Sequence, residues 1–447
     1  MTEVRAARPN DARPNALPRA THPPSSASRR AALATLATTA LLGACASMPG
    51  ASAPPSVSAP HLDAFMRRVE ADSKAGRLPG AVLLVARDGR VQYANAVGVQ
   101  DPASGRPMAR DSIFRIYSMT KPIVTVAAMI LVEEGRIRLG DPVSQFVPEL
   151  KGMRVAVEKP GADGRPAIVE RVAAPREMTV QDLMRHTSGL TYGVFGRSAV
   201  KDEYLKAQVI PGSTNDLPFD LTGMAQRLGT LPLSFAPGST WEYGISTDVL
   251  GLVVERASGR TLDAFLQQRI LGPLKMVDTA FWVPPEKQGR IAEAFPVDPD
   301  SKAKVDLLDI RRTPRLLSGG GGMVSTADDY LRFAQMMLNG GTLDGVRILS
   351  RKSVDYMSSD HLGTIRGPVY LPGPGYGFGL GFAVRLVDGE STVHGSARDY
   401  HWGGFAGTAF WVDPRERLVA VWMMQGPAQS GPYRSLIRSA VYTSLDR

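Results

Sequence analysis

Strand-like runs at both ends of the chain, with a helical stretch between them, restrict the fold more than any other feature of this sequence. Gly80-Ala81-Val82-Leu83-Leu84-Val85-Ala86 and Val91-Gln92-Tyr93-Ala94-Asn95-Ala96-Val97 flank the turn signal Arg87-Asp88-Gly89-Arg90, so they predict an antiparallel hairpin. Past residue 375 the strand pattern returns over 377–387, 406–412 and 418–424, and a last helix fits 434–445. A first helix is expected over 61–75, where Leu62, Phe65, Met66 and Val69 share one face. Residues 122–340 carry helical segments and Gly/Pro-rich loops. Helices at 248–257 and 262–270 are separated by the stop signal Ser258-Gly259, and 325–339 is amphipathic with Ser325 or Thr326 as its cap. The simplest packing is a mostly antiparallel sheet built from both chain ends and flanked by helices, with a helical domain beside it, an α/β fold in the α+β sense. The sheet domain would comprise 61–121 and 341–447, and the mainly helical domain 122–340.

An export-like lead and a tether precede this body. Residues 1–45 pass from a Pro/Ala/Arg-rich stretch through Ser28-Arg29-Arg30 and the mildly apolar 31–42 to Gly43-Ala44-Cys45. A basic region followed by a short apolar one is a secretory pattern, too short for a lasting membrane span. Leu42-Gly43-Ala44-Cys45 resembles a bacterial lipoprotein signal, which makes Cys45 the candidate for lipidation and membrane anchoring in a bacterial envelope or periplasm. The alternative is cleavage elsewhere, with Cys45 removed. Ser28-Arg29-Arg30 also loosely resembles a twin-arginine export signal. Cys45 is the sole cysteine, so no disulfide forms within the chain. The Ser/Pro/Ala-rich 46–60 reads as a linker.

The formal charge of +9 includes +4 from residues 1–45, leaving +5 for the remainder. No basic run or Arg/aromatic interleaving appears there, which argues against a nucleic-acid partner.

Ser118-Met119-Thr120-Lys121 carries the strongest chemical signal. It stands before the apolar run 122–132, which reads as a buried helix, so Lys121 can reach back over Ser118 from one turn away. Pro122 suits a first turn, whose N–H groups lack partners anyway. A serine hydroxyl attacks well only when something takes its proton, and a lysine kept dry among apolar neighbours can do so. The same Ser-x-x-Lys spacing recurs at Ser198–Lys201 and Ser301–Lys304. The last lies in a polar stretch that reads as a loop, and Ser198 reads as the N-cap of a surface helix. Only Ser118 has an apolar helix behind it to bury the lysine. Local pattern still leaves Ser118 as either a nucleophile or one more capping serine.

Tyr243, on the turn-rich approach to the 248–257 helix, is the candidate second proton carrier; the alternative is a tyrosine that merely packs. Tyr400-His401-Trp402-Gly403-Gly404-Phe405-Ala406-Gly407 precedes a strand, and its glycines allow close backbone approach to a ligand. A backbone N–H there could meet a developing oxyanion, or the segment could be a glycine-rich turn with an aromatic lid. Gly-x-Ser-x-Gly is absent, and no His, Glu and Cys spacing suggests a metal site. His186, in Arg185-His186-Thr187-Ser188-Gly189-Leu190, is expected to anchor a loop by hydrogen bonds. The run Ser318-Gly319-Gly320-Gly321-Gly322 lacks the ending of a phosphate loop and reads as a close-packed connection.

Taken together, Ser118–Lys121, His186–Leu190, Tyr243, 319–331 and Trp402-Gly403-Gly404 leading into Phe410-Trp411-Val412-Asp413-Pro414 resemble the serine β-lactamase-like superfamily. Within it, the pattern is most similar to the family VIII carboxylesterases. The resemblance spans about 61–445. It implies Ser118 as nucleophile, Lys121 and Tyr243 sharing proton transfer, and an oxyanion hole made by the N–H of Ser118 and one on the strand after Gly404, that of Phe405. It implies substrate-binding roles for Trp402, Gly403 and Gly404, and no metal or cofactor.

Two departures separate the chain from class C β-lactamases. Tyr243-Gly244-Ile245 lacks the amide of Tyr-x-Asn, and Trp402-Gly403-Gly404 stands where Lys-Thr-Gly would be. The tryptophan replaces a cation with an aromatic wall suited to an apolar acyl or alcohol group. A one-residue shift, with His401-Trp402-Gly403 in that place, would exchange which side chain faces the cleft. The expected activity is hydrolysis of esters with short to medium acyl chains through an acyl-enzyme. The rivals are a β-lactamase, D-amino-acid peptidase or acyl transferase of the same fold, and a non-catalytic lipid-anchored envelope protein that binds peptidoglycan fragments.

Overall fold

The computed structural model describes residues 56–161, 164–210 and 217–445. Cys45, the export-like lead and most of the 46–60 linker lie outside the described residues. Residues 54–447 form one compact unit.

Strands β1 (Gly80–Arg87), β2 (Arg90–Asp101), β3 (Arg106–Pro107), β4 (Phe114–Arg115), β5 (Arg154–Pro160), β6 (Pro166–Ala173), β7 (Val324–Ser325), β8 (Thr342–Leu343), β9 (Val346–Arg347), β10 (Tyr376–Phe378), β11 (Ala383–Arg385), β12 (Tyr400–Gly403), β13 (Ala409–Asp413) and β14 (Leu418–Met424) follow one another along the chain. The main sheet has eight strands in the order β10-β11-β12-β13-β14-β1-β2-β3, each pair antiparallel. The last strand, β14, lies beside the first, β1, with Leu84 opposite Val421. This is the sheet from both chain ends that the sequence predicts. Asp88 and Gly89 link β1 to β2 at φ 54° and 73°, the left-handed pair that matches the twist of a tight hairpin.

Period two explains why β1 is buried along its whole length. Ala81, Leu83 and Val85 face one layer and Val82, Leu84 and Ala86 the other. The first layer is closed by helices α1 (Ala59–Lys74) and α10 (Ser430–Thr443), through Leu62, Met66, Val69, Ile437 and Val441. Between them in sequence come α2 (Thr120–Glu133), α3 (Val180–Met184), α4 (Ala199–Ala207), α5 (Leu221–Leu228), α6 (Ser246–Ser258), α7 (Leu262–Leu266), α8 (Ala327–Leu338) and α9 (Arg351–Met357). The second layer holds α2, apolar on nearly every side, and α8, whose Tyr330 ring meets Phe410 of β13 at 4.9 Å. Thr326 caps α8 by accepting the Asp329 N–H, and Gly259 ends α6 in a left-handed conformation at φ 71°.

Several elements differ from expectation. The single strand read at 377–387 is a hairpin, β10 and β11. Gly381, at φ 95°, makes the turn where a Cβ would meet Thr125 Cβ at 2.9 Å, so the chain folds back against α2. The helical segment also contains the β5–β6 hairpin, whose polar, proline-ended strands carry little apolar alternation. The last helix starts at Ser430 rather than 434 because Gly431-Pro432 falls in its first turn, where proline costs no hydrogen bond.

Candidate active site

Ser118 occupies a 3₁₀ turn, Tyr117–Met119, that runs directly into α2. The residue before it, Tyr117, sits at φ 42°, a strained conformation for a bulky side chain. Surrounding bonds hold it there. Tyr117 Oη accepts the Leu308 N–H at 2.9 Å, Ile116 N donates to Met323 O at 3.0 Å, and Tyr330 Oη donates to Met119 O at 2.9 Å. Ser118 is half-buried and opens on a cleft of about 570 Å³.

Lys121, one turn on, is buried at 1% exposure. Its Nζ donates to Gly320 O at 2.7 Å and to Tyr192 Oη at 3.1 Å. It also lies 4.6 Å from the centre of the Tyr243 ring and 5.3 Å from that of Tyr192. Behind this pair stands Asp248. It accepts the Tyr192 hydroxyl at 3.4 Å, the Ser318 hydroxyl at 2.5 Å and the Gly320 N–H at 3.0 Å. Burial pushes the Asp248 carboxyl up, against the pull of Lys121 and Ser318. Burial, and then the Asp248 charge, push the Tyr192 phenol well above its ordinary value, so it stays a hydroxyl. Gly320 permits the arrangement, since a Cβ there would meet Asp248 Oδ2 at 2.1 Å.

Tyr192, Asp248 and the Gly320 carbonyl escaped the sequence reading. No local spacing ties these three positions to Lys121. Ile245 is buried at the start of α6.

Tyr243 is buried, and its Oη accepts the Trp402 indole N–H at 3.2 Å. The Trp402 and His401 side chains leave β12 in different directions, although both residues line the cleft. Trp402 points to Tyr243, whereas His401 turns to the other face and meets the Tyr376 ring at 4.8 Å. Burial and then the nearby Arg438, Arg385 and Arg434 hold His401 well below the usual imidazole range. Trp402 is only 8% exposed, so the open apolar wall of the cleft comes instead from Phe405 and Leu371. Phe195 also lines the cleft, so both the 191–235 and 361–376 segments shape it.

The expected anchoring role of the His186 side chain is corrected. Among the described residues neither ring nitrogen has a hydrogen-bond partner. The ring packs against Tyr243 at 4.8 Å and Phe378 at 5.6 Å, and burial holds it neutral. Its backbone carbonyl does the anchoring, taking the Glu242 N–H at 3.0 Å.

Phe405 lies in the turn between β12 and β13, not on a strand as the sequence suggests. The Gly404 N–H bonds Thr408 O at 2.8 Å and closes that turn. A Cβ on Gly404 would meet Ile116 O at 2.3 Å, so the glycine lets the turn press against the chain two residues before Ser118. The Phe405 ring meets Tyr117 edge-on at 5.5 Å. Among the described residues no backbone carbonyl takes the N–H of Ser118 or of Phe405. Ser118, Tyr243, Trp402, Gly403, Gly404 and Phe405 thus line one cleft, with Lys121 beneath Tyr243. A hydroxyl, an amine, a phenol and unspent N–H donors in one place are the parts required for acyl transfer.

The other two Ser-x-x-Lys tetrads lie apart from this cleft. Ser198 caps α4, and Ser301 sits in a loop where its hydroxyl donates to Asp298 at 2.8 Å.

Comparison with known proteins agrees with this geometry. Protein Rv1367c of Mycobacterium tuberculosis is 35% identical over 375 residues, covering 82% of this chain and 90% of the relative. Esterase EstB of Burkholderia gladioli is 34% identical over 392 residues, covering 82% and 91%. The solved structure of EstCE1, described as a hydrolase with promiscuous acyltransferase activity, is similar with a TM-score of 0.70 and 26% identity, covering 86% of this chain and 99% of that one. Residues 65–441 match the Beta-lactamase family model, and with that share of its length aligned the chain belongs to the Beta-lactamase family.

Proposed function

We propose that this protein is a serine ester hydrolase that works through an acyl-enzyme on Ser118. The observation that carries the reading is the shared cleft of Ser118, Tyr243 and the Phe405 turn, with Lys121 under the Tyr243 ring. Ser118 Oγ attacks the ester carbonyl while the Lys121 and Tyr243 pair accepts its proton. The Trp402 N–H steadies negative charge on the phenol oxygen during that transfer. The N–H groups of Ser118 and Phe405 receive the oxyanion, each worth about 2–4 kcal/mol of barrier. The proton then passes to the leaving alcohol, and water releases the acid by the same steps in reverse.

The substrate class follows from the cleft. Its volume of about 570 Å³ and the apolar Phe195, Leu371 and Phe405 suit short to medium acyl chains. Ile245 and Trp402 weigh against a β-lactamase or peptidase, and the complete Ser118, Lys121 and Tyr243 set weighs against a protein that only binds. Transfer to an alcohol instead of water uses the same acyl-enzyme, and the likeness to EstCE1 favours keeping it as a second activity.

The deciding assay uses p-nitrophenyl butyrate and a chromogenic cephalosporin beside Ser118→Ala. Ester turnover that falls by about 10⁴-fold or more in the variant is expected. Dominant cephalosporin turnover, or ester turnover that survives the substitution, overturns the proposal. We further infer export with lipidation at Cys45. An intact mass showing a mature chain that begins elsewhere and carries no lipid sinks that part.

A further inference from the structure

An unpaired arginine stands behind the turn that carries Phe405. Arg434, on α10, lines the cleft and is half-buried. Among the described residues it has no carboxylate partner, unlike its neighbour one turn on, Arg438, which pairs with Asp399. Its hydrogen bonds go to two backbone carbonyls of the β12–β13 turn. Nη2 donates to Gly404 O and to Thr408 O, the latter at 3.2 Å. Its Nε is buried without a partner. Burial lowers the Arg434 guanidinium to about 10, against the opposing influence of Tyr243. A half-buried cation without a counter-ion, with its Nε shut away from water, costs stability, so its position needs a reason beyond packing.

Gly403 supplies the access. A Cβ at that position would stand 2.6 Å from the Arg434 guanidinium carbon and 2.8 Å from Nε. The arginine therefore occupies the space a side chain at 403 would take. The Gly404 carbonyl it holds belongs to the same planar peptide unit as the Phe405 N–H. Fixing one end of that unit fixes the direction of the other. A cationic donor on the oxygen also polarises the unit and makes its N–H a stronger donor.

We propose that Arg434 is a positioning residue of the oxyanion hole: from the space left by Gly403 it locks the Gly404–Phe405 peptide plane with the N–H toward the acyl adduct of Ser118. This rests on the reading of the Phe405 N–H as an oxyanion donor. It gives Gly403 and α10 a part in turnover that runs through the backbone of the turn.

The test uses the full chain with p-nitrophenyl butyrate as substrate and butaneboronic acid as a tetrahedral mimic. Arg434→Gln should lower kcat about 30-fold with KM within threefold, and weaken boronate inhibition by a similar factor. Gly403→Ala should give a comparable kcat loss, and the double variant should lose little more than either alone. Arg434→Lys keeps a cationic donor but on a shorter side chain without the planar guanidinium, so an intermediate kcat is expected. A folded Arg434→Gln with kcat within twofold of wild type, or one that changes only KM, overturns the proposal. If the Gln variant does not fold, an Arg434→Lys with wild-type kcat overturns it equally. Labelling of Ser118 by a fluorophosphonate separates the two levels. A wild-type protein that labels and turns over ester while Arg434 variants match it sinks only this inference; one that does neither sinks the esterase reading, and this inference with it.

Discussion

The chain carries the same Ser-x-x-Lys spacing at the start of two helices, and the two sites have come to opposite ends. Ser198 accepts the Lys201 N–H at 3.2 Å and caps α4, whereas the Ser118 hydroxyl is bound in no such cap and opens on the cleft. Burial of the lysine does not separate them, contrary to the sequence reading, because Lys201 is 7% exposed against 1% for Lys121. What differs is the company. Lys201 donates to Phe195 O and stands 3.6 Å from the Glu242 carboxylate, a direct counter-ion. Lys121 meets a carbonyl, a hydroxyl and the faces of two phenols, and its nearest anion, Asp248, acts across Tyr192. A neighbouring phenol can exchange a proton with an amine; a salt bridge only holds one.

Exchanging the lysines for an apolar side chain of similar length breaks the comparison most sharply. Lys121→Met should lower kcat for p-nitrophenyl butyrate by about 10³-fold, the range expected for losing a positioned base. Lys201→Met should leave kcat within about threefold but lower the melting temperature, because it strands Glu242 with a side-chain oxygen already lacking a hydrogen bond. Equal losses of kcat at both positions would show that the difference in partners has no catalytic meaning.

This contrast also marks how far the sequence could be read. The β1–β2 hairpin and the sheet from both ends follow from local spacing and period two, so they were legible, whereas spacing alone offered three Ser-x-x-Lys tetrads and only the family resemblance singled out Ser118. The partners of Lys121 were not, because Tyr192, Asp248 and Gly320 lie 71, 127 and 199 residues further along and meet only when α2 and α6 pack. Arg434 was hidden for the same reason, and the Gly-Pro pair at 431–432 masked the start of its helix. The break inside 377–387 was visible as Gly379 and Gly381, but an apolar run with glycines reads as a strand until α2 is there to fold against.

Tyr192 allows a finer cut between the two sites. Its hydroxyl links Lys121 to Asp248, so Tyr192→Phe removes that link and leaves Lys121 only the Gly320 carbonyl. A loss of about tenfold in kcat is expected, the order of one hydrogen bond to a charged group, with KM little changed. The variant should also move the pH profile of kcat relative to wild type, since the carboxyl of Asp248 loses a hydrogen bond that holds it down and rises further. An unchanged profile together with unchanged kcat would assign Tyr192 to packing alone.

The smallest effect belongs to Ser198. If its hydroxyl is a cap and nothing more, Ser198→Ala should cost about 1 kcal/mol of stability, the usual price of a lost N-cap. α4 is a short helix, with Val200 and Tyr204 buried beneath it, so fraying of its first turn is opposed by those side chains and the cost should fall at or below that figure. Activity should stay within about twofold, because neither Ser198 nor Lys201 lines the cleft. Phe195 does line it, and Lys201 holds the Phe195 carbonyl, so the loop gives this variant its one route to the substrate. A change in KM for longer acyl chains at constant kcat would therefore place α4 in substrate selection through Phe195, whereas a fall in kcat would mean that the second tetrad had kept a share of the chemistry.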